Sequence, residues 1–168
     1  TSDIILVKHF FSSYDAGIYG SVSNLGKIIF YGTAPIGAVM FPIISKKKSK
    51  GERFINIFII SVVLTVLLGM GVVVLYYLFP ILTVSILYGN GFLEASKYLV
   101  IMGIYYIFYS LAQLMSSFLL SIDMTKPLMI LPVFAILQVV AIYIFHTSFS
   151  VVITSSMASV SLLLMYLG

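Results

Sequence analysis

The sequence has no cysteine, no tryptophan and few charged residues. The absence of cysteine excludes disulfide bonds, thiolate metal sites and cysteine nucleophiles. Charged residues make up 8% of the 168 positions, whereas soluble domains carry about 25%. The shortage of charge, together with a hydrophobic content of 61%, excludes an ordinary soluble globular domain.

The sequence contains three long stretches without charged residues. They separate Arg53 from Glu94 and Lys97 from Asp123, and a third follows Lys126. Each is at least as long as the roughly 20 apolar residues that cross a hydrocarbon core of about 30 Å. Barrel strands are shorter and alternate in polarity, so the pattern predicts an all-α integral membrane protein.

Polar turns, prolines and glycines divide the chain into six predicted helices. Their approximate ranges are 1–11, 16–45, 54–79, 94–122, 127–146 and 149–167. Pro35 and Pro42 predict a kink or a broken end in the second helix, and residues 88–91 predict a turn. Thr1 stands inside an apolar segment already under way, so we expect a truncated first helix and a fragment of a longer protein. Short connections favour antiparallel neighbours, and we interpret residues 1–168 as a single transmembrane lobe.

Basic residues cluster on one side of this predicted topology. The loop 46–53 holds five of the nine lysines and arginines, and Lys126 lies on the same side. The positive-inside rule therefore predicts that loop 46–53 is cytoplasmic and that residues 89–91 lie outside. A basic cluster beside an apolar span is typical of membrane lipid as a partner and not of nucleic acid.

Lys27 is the strongest candidate for a functional residue. Twelve residues separate it from the polar turn at Asp15, which predicts a depth of roughly 18 Å, close to the bilayer midplane. Spacings of three and four place it on one helical face with other small or polar residues: Gly20, Ser23, Asn24, Tyr31 and Ala34. Because charge inside a span is costly, this face should meet protein or a water-filled cavity.

Asp3 and Lys8 are further charges in the first predicted helix. Asp3 could form a structural ion pair with Lys27 on the adjacent helix. Alternatively, Lys27 binds an anionic substrate that Asp3 helps to orient. Lys8 lies near enough to the outer surface for its stem to reach water, so it is either an interfacial anchor or part of the same cavity.

A second stripe runs along the fourth predicted helix. Its members recur at spacings of three and four: Tyr98, Met102, Tyr105, Tyr109, Gln113 and Ser116. Such rows usually pack between helices. Alternatively, the hydroxyl of Tyr109 and the amide of Gln113 could bind sugar hydroxyls in the cavity.

Signatures of catalysis are missing. The sequence has no nucleophile elbow, zinc-protease helix, phosphate loop or dinucleotide motif, and its five carboxylates are scattered. His9 and His146 have no second ligand at metal spacing. We therefore expect no enzyme activity, no cofactor and no metal.

Several short runs resemble one family of membrane proteins. They are Asp3–Phe11, Ala16–Tyr19, Leu25–Phe30, Phe41–Pro42, Leu87–Gly89 and Phe92–Ala95. In these runs the chain resembles the second half of bacterial polysaccharide-biosynthesis membrane proteins. These are the O-antigen and capsule flippases of the multidrug/oligosaccharidyl-lipid/polysaccharide exporter superfamily.

The resemblance implies a transporter of two six-helix lobes around a central cavity, of which this chain is most of the second lobe. It also implies the partners, namely a missing N-terminal lobe and a polyprenyl-diphosphate-linked oligosaccharide. The substrate would be flipped across the bacterial plasma (inner) membrane by alternating access. Lys27, and with it Lys8, would then face the cavity and attract the diphosphate or acidic sugars.

Three other functions fit parts of the pattern. A cation-coupled multidrug exporter of the same superfamily would need a buried carboxylate, for which Asp3 is the candidate. A membrane enzyme acting on polyprenyl-linked sugars would need a large outer loop, and the outer loops here are short. The third alternative is a purely structural membrane subunit.

Overall fold

The computed structural model describes Val7, residues 12–144 and residues 148–168. Six α-helices lie in this part of the chain: α1 (Ser13–Ser49), α2 (Ile55–Leu78), α3 (Pro80–Tyr88), α4 (Leu99–Ser121), α5 (Leu131–Ile144) and α6 (Phe149–Leu167). Two 3-10 helices, Asn90–Tyr98 and Lys126–Ile130, lead into α4 and α5.

Five of the helical segments are long and apolar enough to cross a membrane: Ser13–Ser49, Ile55–Leu78, Asn90–Ser121, Lys126–Ile144 and Phe149–Leu167. The predicted class, an all-α integral membrane protein, is therefore confirmed. The predicted first helix, 1–11, lies outside the described residues except for Val7, which is helical and buried.

The longest helix, α1, differs from its prediction at both ends. Its first turn is capped by the Ser12 hydroxyl, which accepts a hydrogen bond from the Asp15 amide at 3.2 Å. The helix then continues through Pro35 and Pro42 to Ser49, so a broken end at either proline is wrong. A proline removes one backbone donor and its ring crowds the preceding turn, but packing along the rest of α1 keeps the flanking turns helical.

The connection between α2 and α4 is more ordered than the sequence indicated. Pro80 occupies the first turn of α3, where a missing amide hydrogen costs nothing, and the helix lasts nine residues. Gly89 then adopts a φ of 79°, which favours glycine and provides the predicted turn. The predicted helix 94–122 begins earlier, as the 3-10 helix Asn90–Tyr98, before it becomes α4.

At the centre of the bundle, α4 packs against α1, α2 and α6. Glycines lie where the helices approach most closely: Gly26 on α1, Gly69 on α2 and Gly103 on α4. Helix α5 packs mainly on α6, and most of its surface is exposed. The core therefore lies among α1, α2, α4 and α6, with α5 at the edge.

Candidate substrate groove

Contacts with α2 define the position of Lys27 along the bundle. The Tyr76 hydroxyl donates to the Leu25 carbonyl at 2.7 Å, and α2 ends two residues later at Leu78. Leu25 therefore lies level with the last turn of α2, and Lys27 lies less than one turn deeper.

The first turns of α1 extend beyond α2 and pack against the 3-10 helix Asn90–Tyr98. There the Tyr14 hydroxyl donates to the Gly91 carbonyl at 3.2 Å. The polar turn at Asp15 therefore marks where α1 begins, and it lies beyond the end of α2. The hydrogen bond from Thr33 to Ser110, at 3.0 Å, marks the middle of the bundle. Lys27 lies between this level and the end of the bundle that holds Gly89.

Lys27 lines a groove of about 430 Å³ between α1 and the end of α3. Its ammonium group donates to the Asn24 side-chain oxygen at 3.2 Å. Tyr31 stands one turn further along the same face and is 67% exposed. The full lining is Asn24, Leu25, Lys27, Ile28, Tyr31, Leu87 and Tyr88. The structure thus brings three of the predicted residues together and adds Leu87 and Tyr88, which helical spacing could not connect with α1.

The charge of Lys27 has no acidic partner within residues 12–144 and 148–168. The ion pairs in this part of the chain, Lys47 with Glu52 and Lys48 with Asp123, lie at the opposite end of α1. The predicted partner Asp3 and the second predicted cation Lys8 lie outside the described residues. Lys27 is therefore held by a neutral amide among the residues whose positions are described.

Tyr109 and Gln113 lie on the exposed face of α4, away from the Lys27 groove. The predicted stripe divides in two, because Met102, Tyr105 and Ser116 are buried between helices whereas Tyr109 and Gln113 are exposed. Packing therefore accounts for these three residues and for Tyr98, which is half-buried with its ring 5.6 Å from that of Phe149. The two exposed residues are available to a ligand or to another part of the protein.

Gln113 lines two further grooves. One, of about 370 Å³, runs between α1 and α4 and has Thr33, Thr65 and Ser110 among its lining residues. The other, of about 320 Å³, lies between α4, α5 and α6 and contains Tyr109 and Gln138. The sequence analysis did not single out Thr33, Ser110 or Gln138, because each is an isolated polar residue in an apolar run with no charged neighbour at helical spacing.

Phe30 connects the two groups of predicted residues. Its ring lies 5.5 Å from the ring of Tyr31 and 5.3 Å from the ring of Tyr109, measured between centroids. Through Phe30 the Lys27 groove is thus continuous with the face of α4 that carries Tyr109.

The uncovered faces of α1 and α2 differ in chemistry. On α2 the exposed residues are large and apolar: Ile59, Ile60, Val63, Leu64, Leu67 and Leu68. On the side of α1 that carries Lys27, most of the exposed residues are small or polar: Gly17, Asn24, Ala34, Ala38 and Ser45. The α2 face suits lipid, whereas amide and ammonium groups exposed to hydrocarbon would be costly. The chemistry of the α1 face fits contact with protein or water.

Similarity to known proteins agrees with this architecture. The sequence profile of the family described as polysaccharide biosynthesis protein matches residues 1–97, more than half of the chain. The chain belongs to this family. It is thus a multi-pass membrane protein of the polysaccharide biosynthesis family, and the resemblance seen in the sequence is confirmed at that level.

The matched region includes every residue that lines the Lys27 groove, whereas Tyr109 and Gln113 lie beyond it. No curated protein and no solved structure matches the chain. No group of three histidine, aspartate or glutamate residues that could hold a metal ion occurs in the described ranges.

Proposed function

We propose that this chain is one lobe of a transporter that flips a polyprenyl-diphosphate-linked oligosaccharide across the bacterial plasma membrane. An N-terminal lobe of the same protein would close the other side of the cavity, and the two lobes would alternate access between the leaflets. The observation that carries the proposal is Lys27, a cation with a neutral partner in a groove on the polar face of α1.

The electrostatics of the groove favour an anionic ligand. An ammonium group within a membrane span is costly, and this cost is reduced when an anion binds beside it. A diphosphate offers several oxygens to which Lys27 can donate. Asn24 holds the ammonium group at 3.2 Å without neutralising it.

Oligosaccharide recognition would fall to the neutral polar groups on the same side. The hydroxyls of Tyr31 and Tyr109 and the amide of Gln113 are exposed there, and each can both donate and accept hydrogen bonds. Sugars carry many hydroxyl groups, so donors and acceptors spread along a groove suit them better than one deep pocket.

A cation-coupled drug exporter fits the groove less well. Such a transporter needs a carboxylate within the spans to bind a proton or sodium ion. In the described spans the acids are Asp15 and Glu94, which lie in the end regions and not in the groove. The function that we propose is therefore transport.

Complementation of a strain that lacks the chromosomal copy tests the role of Lys27. We expect Lys27→Ala in the full-length protein to abolish surface polysaccharide while the protein still accumulates in the membrane. Lys27→Arg should retain part of the activity, because the charge persists but its geometry changes. The control is Lys97→Ala, an exposed cation on the 3-10 helix, which should complement fully.

The ion-pair alternative makes a different prediction. If Lys27 serves to neutralise Asp3, each single neutral variant leaves one uncompensated charge, and the pair Asp3→Asn with Lys27→Gln should restore both abundance and transport. Normal transport by the double variant would rule out substrate binding by Lys27. Loss of transport at normal abundance in the double variant would support it.

A further inference from the structure

The basic end of α1 contains five cations, and the structure divides them into two groups. Lys47 pairs with Glu52 at 2.9 Å, and Lys48 pairs with Asp123 at 2.7 Å and also donates to the Ile122 carbonyl. The other three cations, Lys46, Lys50 and Arg53, have no carboxylate partner in the described part of the chain and are exposed.

These three cations are also not needed to cap α1. The Gly51 amide donates to the Lys48 carbonyl and the Glu52 amide donates to the Lys47 carbonyl, each at 3.0 Å, which is the Schellman arrangement. Gly51 has the φ of 69° that this arrangement requires. The backbone and the Ser49 hydroxyl, which donates to the Lys46 carbonyl at 2.8 Å, thus satisfy the final turn without ammonium groups.

The unpaired charges border a concave site. A depression of about 360 Å³ is lined by Ile43, Lys46, Lys47, Lys50 and Glu52. The Schellman turn places Glu52 beside Lys47, so the charges of these two lining residues cancel each other. Lys46 and Lys50 keep their charge, so the site as a whole is cationic.

We propose that this depression binds the phosphate of an anionic phospholipid, at a site separate from the Lys27 groove. Basic clusters beside a membrane span attract anionic lipid at about 1 kcal/mol per lysine or arginine near the surface. Lipid is favoured over a free phosphate because Ile43 lines the site and Val39, one turn further into the span, is 61% exposed. A phosphate seated between Lys46 and Lys50 would leave its acyl chains against this apolar side of α1.

Lipid titration of the purified full-length protein in detergent, followed by native mass spectrometry, tests the proposal. The probe is phosphatidylglycerol, compared with phosphatidylcholine of the same acyl chains. We expect wild type to retain phosphatidylglycerol preferentially. The double variant Lys46→Gln with Lys50→Gln should bind it roughly 30-fold more weakly, from about 1 kcal/mol for each cation.

The control variant is Lys97→Gln with Lys126→Gln, which removes the same charge from two exposed positions outside the depression. It should bind phosphatidylglycerol as wild type does. Equal losses in the two double variants would show that net charge, and not the site, attracts the lipid, and would overturn the proposal.

Competition separates lipid from free phosphate. Inorganic phosphate and glycerol phosphate at the lipid's concentration should not displace phosphatidylglycerol, because they lack the acyl chains that contact Ile43. Equal displacement by either would identify a simple phosphate site and contradict the lipid assignment. Since Lys27 is unchanged in both double variants, failure here would leave the proposed transport function standing.

Discussion

Three glycines at the helix contacts leave little room for a side chain. A Cβ added to Gly26 would collide with the ring of Tyr106 and lie 2.8 Å from Cγ of Met102. Gly69 and Gly103 are also restricted, though less tightly, by Ile107 at 2.7 Å and Val73 at 2.8 Å. These close approaches set the distances between α1, α2 and α4.

Gly26→Ala is therefore expected to destabilise the protein, even though alanine is the better helix former. Overpacking typically costs about 1 to 3 kcal/mol, which exceeds the gain of about 1 kcal/mol in helix propensity. The measurement is the thermal unfolding midpoint of the purified protein in detergent. On the same helix, Gly20 and Gly32 have no atom within 4 Å of an added Cβ. Gly20→Ala should leave the midpoint unchanged or raise it, and a similar fall in both variants would contradict the packing argument.

Two lysines on α1 show how neighbours determine what a cation does. Lys48 is held by Asp123 and by the Ile122 carbonyl, so it ties the end of α1 to the connection after α4. Lys27 has the Asn24 amide as its hydrogen-bond partner and lies in a groove. The charge of Lys48 is thus neutralised by Asp123, whereas the charge of Lys27 remains available to an anion.

At the level of elements, α1 is longer than a membrane span requires. Its 37 residues extend for about 55 Å, against a hydrocarbon core of about 30 Å. The excess is used at both ends, where the first turns pack against Asn90–Tyr98 and the last turn carries the basic cluster. Pro35 and Pro42 lie between, in the part that crosses the bundle.

Pro35 leaves the Tyr31 carbonyl without a helical donor, and we predict that α1 bends there during transport. Pro35→Ala restores the hydrogen bond and should raise the thermal unfolding midpoint while slowing export. The measurement is surface polysaccharide per unit of membrane protein in the complemented strain. Leu67→Ala, an exposed position on α2, is the control and should export normally. Unchanged export by Pro35→Ala would show that bending at Pro35 is not required for transport.

At the level of the whole molecule, the uneven distribution of charge predicts the orientation in the membrane. Six of the nine lysines and arginines lie at the end that holds Lys46–Arg53 and Lys126. In the structure, Lys48 reaches Asp123, which confirms that the two basic connections lie together. The positive-inside rule then predicts that this end is cytoplasmic.

Single cysteines test the orientation without background, because the sequence contains none. Asn90→Cys should react with a membrane-impermeant maleimide in intact cells, and Lys50→Cys should react after the membrane is permeabilised. Both positions are exposed, so differences in labelling report the side of the membrane and not burial. Equal labelling of Lys50→Cys in intact cells would reverse the proposed topology.

The sequence by itself indicated the long helical segments of the described chain, though not the short helix α3, because uncharged length, prolines and glycines act locally. It also contained the family resemblance, since short runs such as Leu25–Phe30 are continuous. The grouping of Asn24, Lys27 and Tyr31 followed from helical spacing alone, because all three lie on one helix.

Tertiary structure decided what depends on contacts between distant residues. The level of Lys27 follows from Tyr76 meeting Leu25, and the division of the α4 stripe follows from which side of that helix the neighbours cover. The addition of Tyr88 to the groove depends on how the connection after α2 folds back beside α1. Helical spacing shows which residues share a face. Which face becomes buried depends on the packing of several helices together, and spacing along one helix does not contain that information. That packing is what leaves Lys27 in a groove and places Lys48 against Asp123.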